Sequence, residues 1–84
     1  MSDFPIEHNS LYVIRKVYRL TMAEMAKILE VSPTYINAIE KEREPLTDNI
    51  RLKLIKQFKL NPARLAEINA IHDRYTYQLN TLTN

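Results

Sequence analysis

Not one of the chain's 84 residues is glycine. That absence constrains the fold more than any other feature of the sequence. Tight hairpin turns need residues at positive φ, which glycine supplies without steric cost. A chain this short built from strands would need several such turns. Helices tolerate the absence, although their C-terminal ends favour glycine. The expectation is an all-α fold.

Size and composition narrow the class further. A chain of 84 residues is one small domain, and at that length folding buries only about 60–65% of the unfolded surface. There is no cysteine, so neither a disulfide nor a thiolate site is available. That fits a reducing cytoplasm. No apolar run approaches the roughly 18 residues of a membrane span, and the first residues lack the charged-then-apolar layout of a signal peptide. A cytoplasmic location with no membrane partner is expected. The formal charge of +2 and pI near 9.0 permit a nucleic-acid partner without requiring one.

The chain punctuates itself into five helices. Asn9 or Ser10 can cap a first helix running to about Arg19, with Leu11, Ile14, Val17 and Tyr18 on one side. Thr21 and Glu24 have capping-box spacing, in which hydroxyl and carboxylate each satisfy a free backbone N–H. The second helix follows with Met25, Ala26, Ile28 and Leu29. Ser32-Pro33 opens a third, Ser as cap and Pro at the first helical position, where its missing N–H costs nothing. Ile36 and Ile39 form its apolar pair. Pro45 interrupts the chain. Thr47 or Asp48 starts a fourth helix carrying Ile50, Leu54, Ile55 and Phe58, and Asn61-Pro62 opens a long fifth. The expected organisation is a single domain with an N-terminal arm (1–9), a core (10–65) and a C-terminal helix extension (66–84).

The stretch LTMAEMAKILEVSPTYINAIEKEREPLTDNIRLKLIKQFKLNPARL, residues 20–65, resembles the helix-turn-helix of the phage repressor and Cro family, the xenobiotic-response-element type. Leu20, Thr21, Glu24, Ala26, Leu29, Val31, Ser32, Ile36, Ile39 and Glu40 match the family's residue types in register. With the first helix included, the resemblance covers about two-thirds of the chain. It implies a compact bundle of four or five helices, with helices 2 and 3 as the helix-turn-helix, and the family's usual function, repression of transcription by dimeric operator binding. It also implies that Glu40 pairs with an arginine of the first helix, which falls at Arg15.

The resemblance assigns the major groove to helix 3, residues 33–41. With Ile36 and Ile39 inward, the helical period puts Pro33, Thr34, Asn37, Ala38 and Lys41 outward, with Tyr35 at the margin. Asn37 can bond adenine with both ends of its amide, while the Thr34 methyl and Ala38 suit thymine methyls. Ser32 and Tyr35 offer hydroxyls to phosphates, and Lys41 and Arg43 offer charge. No arginine stands on this face to grip guanine. The expected partner is double-stranded DNA with an A·T-leaning half-site.

The sequence also departs from the family. Met22 stands where an amide often anchors a phosphate. Glu30 and Glu42 stand where glycine is common, so both are expected at positive φ, at a cost of about 1–2 kcal/mol for a residue with a side chain. Between Leu20 and Glu44 the acids Glu24, Glu30, Glu40, Glu42 and Glu44 outnumber Lys27, Lys41 and Arg43. The other bases lie on the first helix (Arg15, Lys16, Arg19) and in a run from Arg51 to Arg64 that reads mostly as a solvated helix face. Affinity for DNA depends on phosphate neutralisation, so this balance keeps an alternative open. In it the same scaffold is a protein-interaction module, an anti-repressor, an antitoxin-like protein or a factor docking on a regulatory partner.

A second pattern lies in the last helix. Ile68, His72, Tyr75, Leu79 and Leu82 continue a heptad step that begins at Leu65, and Ile71 widens it. The first turns are expected to pack on the domain and the later ones to form a homodimer, since so apolar a helix end is usually covered. Catalysis is not legible. The serines, His8 and His72 show no motif spacing, and no cofactor, metal or catalytic residue is expected.

Overall fold

The computed structural model of the chain describes the backbone of Ile6 and residues 8–83, and the side chains of Ile6 and residues 9–75. Among the described residues there are five helices and no strand: α1 (His8–Val17), α2 (Met22–Leu29), α3 (Pro33–Glu40), α4 (Asp48–Phe58) and α5 (Pro62–Thr83). The all-α reading holds.

Four helices start with the same device. Thr21, Ser32, Thr47 and Asn61 each accept the backbone N–H three residues on: Glu24 at 3.0 Å, Tyr35 at 3.1 Å, Ile50 at 3.3 Å and Arg64 at 2.7 Å. In α2 the box is closed by the Glu24 carboxylate, which accepts from the Thr21 N–H at 2.8 Å. Each bond satisfies a donor that has no partner inside the helix.

Four helices also end alike, and here the missing glycine shows. Arg19, Glu30, Glu42 and Lys59 follow α1, α2, α3 and α4 at φ between 52° and 60°. The next residue in each case reaches back five positions: Leu20 to Arg15 at 2.9 Å, Val31 to Ala26 at 2.9 Å, Arg43 to Ala38 at 2.8 Å and Leu60 to Ile55 at 3.0 Å. This is the hydrogen bond of the Schellman ending. Glu30 and Glu42 take the expected left-handed conformation; Arg19 and Lys59 do so as well, at positions where no strain was expected.

The core is drawn from all five helices. Leu11, Ile14, Met25, Leu29, Ile36, Ile39 and Leu54 are fully buried, with Ile50 and Ile68 nearly so. α1 packs on α5 and α3, and α2 packs on α3 and α4. Ala26 is buried on α2, where the core leaves room for little more than a methyl.

Some expectations need correction. α1 begins at His8 rather than after Asn9 or Ser10, and Ser10 is buried inside it. Within the span assigned to an arm (1–9), the Ile6 side chain joins the core and its carbonyl accepts from Arg51 Nε at 2.8 Å. α1 also ends at Val17, so Tyr18 lies in the turn, its ring tilted against Phe58 at 5.0 Å. α3 ends at Glu40 instead of Lys41, which becomes its C-terminal cap. Ile68 cannot serve a dimer seam, because it is 1% exposed in the single chain. Of the heptad step, Ile68 lies in the chain's own core and His72 lies against Tyr12 of α1.

Candidate nucleic-acid interface

The unit α2–turn–α3 is built by local chemistry. Glu30, at φ 60° and ψ 44°, reverses the chain; Ser32, extended at φ −87° and ψ 153°, opens α3. Lys53 of α4 secures the corner from outside, its Nζ donating to the Leu29 carbonyl at 3.0 Å and lying 3.7 Å from the Glu30 carboxylate. A cation on the free carbonyls at a helix C-terminus is favourable both as a hydrogen bond and against the helix dipole.

α3 is fixed in rotation by two contacts. Ile36 and Ile39 are fully buried. Next to them the carboxylate of Glu40 receives a two-pronged bond from Arg15, with Nε donating at 2.7 Å and Nη2 at 3.0 Å. The side chains of this pair are 11% and 6% exposed, so it is a buried bridge between α1 and α3. The remaining guanidinium edge donates to the Leu20 carbonyl at 3.0 Å. The Glu40 hydrogen bond raises the Arg15 pKa above its ordinary value, against the opposing effect of burial. The pair expected at Arg15 and Glu40 is therefore formed.

The outward face carries Ser32, Pro33, Thr34 and, past the helix, Lys41 and Arg43, all exposed; Asn37 and Ala38 are half-buried. Tyr35 is half-buried as well, its ring leaning on the core. The Ser32 oxygen is engaged as a cap, which leaves its O–H free to donate.

Charge is distributed differently from the sequence count. Of the five acids between residues 20 and 44, Glu24 closes the capping box, Glu30 faces Lys53 and Glu40 is taken by Arg15. The acids left over are Glu42 and Glu44, which alternate with Lys41 and Arg43 in the loop after α3. The basic run on α4 and α5 is partly structural. Arg51 holds Ile6 and Asp48, Lys53 holds the α2 end, and Arg64 donates to the Tyr18 hydroxyl at 2.6 Å and to Glu67 at 3.0 Å. Met22 is half-buried against the core, so its thioether fills space where an amide would meet solvent.

The C-terminal seam divides in two. Ile68 is core, and His72 stands edge-on to Tyr12 with ring centroids 6.0 Å apart. Tyr75 remains 56% exposed. Leu79 and Leu82 lie outside the described side chains.

Among the described residues no three metal-ligating side chains come together, and no helix is long and apolar enough to cross a membrane. Comparison with protein-family models, curated proteins and solved structures returns no match.

Lys53 and Tyr12 escaped the sequence reading. Lys53 sits at an unremarkable position of an amphipathic helix, and Tyr12 falls off the apolar stripe of α1. The roles of both depend on a neighbour distant in sequence.

Proposed function

We propose that the chain is a DNA-binding transcriptional regulator of the repressor and Cro type, reading duplex DNA with the outer face of α3. One observation carries the reading. The only carboxylate in α3, Glu40, is drawn back onto Arg15. The outward face, with Thr34, Asn37 and Ala38, is left without negative charge and backed by two buried isoleucines. A helix that enters a groove lined by phosphates needs both properties, a face free of carboxylates and a fixed rotation.

In this reading Asn37 bonds an adenine edge, and the Thr34 methyl and Ala38 meet thymine methyls. Ser32, Tyr35, Lys41 and Arg43 hold phosphates, and Pro33 starts the helix at the groove. The homodimer belongs to the same reading and is assigned to the far end of α5, where the sequence puts Leu79 and Leu82. Two copies would then present α3 to half-sites about one DNA turn apart.

The test is selection of sites from a random duplex pool, followed by titration at low and moderate salt. Asn37→Ala should cost about 1–3 kcal/mol on the selected site and little on random DNA. Lys41→Ala should weaken both and lower the salt slope by about one phosphate. An absence of saturable, salt-dependent binding removes the proposal. Unchanged affinity in Asn37→Ala means that α3 is not the reader.

A further inference from the structure

A cleft of about 800 Å³ runs between α1 and α5, and none of its lining residues belongs to α3. Its apolar walls are Tyr12, Ile71 and Tyr75, which are 37%, 41% and 56% exposed. These are three of the four large hydrophobic residues described as exposed, and they share one surface. Lys16 and Arg19 stand along the same cleft, and no carboxylate is among the residues that line it. The Lys16 ammonium and the Arg15 guanidinium lie 5.9 and 5.6 Å from the centre of the Tyr12 ring, on which His72 also abuts. Arg15 is already paired with Glu40. Lys16 and Arg19, both exposed, are the cations left to meet a partner.

We propose that this groove docks an acidic amphipathic segment of another protein, its apolar side chains between Tyr12, Ile71 and Tyr75 and its carboxylates against Lys16 and Arg19. The charge of the cleft decides between occupants. A two-fold contact with a second copy centred here would set Lys16 and Arg19 of one chain beside the same residues of the other, since such an interface is self-complementary. That juxtaposition of like charges is unfavourable. Duplex DNA would satisfy the cations but would leave the aromatic and aliphatic walls without apolar partners. A small molecule needs a pocket that buries most of its surface, and these walls are 37% to 56% exposed. A peptide with a carboxylate flank satisfies both the apolar walls and the cationic rim. Tyrosine is moreover among the residues that most often anchor protein interfaces.

The experiment pans a phage-displayed library of random short peptides on the full chain and measures the enriched peptides by fluorescence anisotropy. The expected peptides combine apolar residues with an excess of Asp and Glu. Tyr75→Ala should weaken them roughly tenfold or more, and the double change Lys16→Glu, Arg19→Glu should turn the selection towards basic peptides. All three positions are solvent-exposed, and circular dichroism melts serve to check that the variants fold; Ile71→Ser gives a second probe of the wall. The proposal is overturned if no peptide is enriched, if the enriched peptides show no acidic excess, or if they bind Tyr75→Ala unchanged. It is equally overturned if Tyr75→Ala abolishes self-association in sedimentation, which would identify a second copy as the occupant. Displacement of the peptides by duplex DNA would make the cleft part of a nucleic-acid surface and would overturn it too.

Discussion

Glu42 sits at φ 60° and forms no salt bridge among the described residues. A left-handed conformation costs a residue with a side chain about 1–2 kcal/mol, while glycine adds about 0.5–1 kcal/mol of unfolded-state entropy to be lost on folding. Glu42→Gly should therefore stabilise the protein by about 0.5–1 kcal/mol, raising the melting temperature by roughly 2–8 °C for a chain of this size. Glu30→Gly should gain less, because it also removes the carboxylate facing Lys53 at 3.7 Å; an exposed pair contributes at most about 1 kcal/mol. Thermal melts of the two variants should rank in that order, and a fall for Glu42→Gly would contradict the strain argument. The two positions of Arg19 and Lys59 were legible in principle. Arg19-Leu20 and Lys59-Leu60 repeat the pattern of Glu30-Val31, a charged residue and then an aliphatic one that turns back to the helix just ended.

α1 and α3 are separated by α2 in the chain and joined by Arg15 and Glu40 in space. Removing one partner of a buried pair leaves the other charged and unsatisfied, so Arg15→Met or Glu40→Met should each destabilise the protein by about 3–5 kcal/mol. Replacing both with methionine should cost much less than the sum of the single changes, because the penalty lies in the orphaned charge. A double-mutant cycle by urea unfolding measures the difference; simple additivity would mean that the fork does not act as a unit. Register alone pointed to this pair. Nothing in the sequence pointed to Lys53 holding the end of α2 or to Arg51 holding Ile6, because each closes a carbonyl whose position depends on packing. Long cations on a helix face look alike until a neighbouring helix presents an acceptor.

For the whole molecule, Ile68 is the last core residue along α5 among the described residues. A chain ending at Tyr75 should keep its cooperative unfolding and its helical core. If the far end of α5 joins two copies, the same truncation should turn a dimer into a monomer, measured by light scattering at matched concentrations. A full chain that stays monomeric at high concentration removes the homodimer. Loss of folding on truncation would place residues beyond Tyr75 in the core. The heptad step could not make this distinction, because a stripe facing the chain's own α1 and a stripe facing another chain have the same period.

The all-helical class follows from the sequence alone. A chain without glycine has few cheap hairpin turns, and four cap residues announce helix starts whose chemistry is confined to three neighbouring residues. The inward face of α3 follows for the same reason, since two isoleucines three apart leave one way to turn the helix. The tertiary structure decided what depends on distant partners: that Glu30 and Glu40 are engaged by the fold, that Ile6 and Ile68 belong to the core, and that Tyr12 and Tyr75 line one cleft. Charge counts and apolar periods describe a residue's own helix. Whether a carboxylate faces solvent or a guanidinium, and whether a stripe is core or surface, is settled only when another helix arrives beside it.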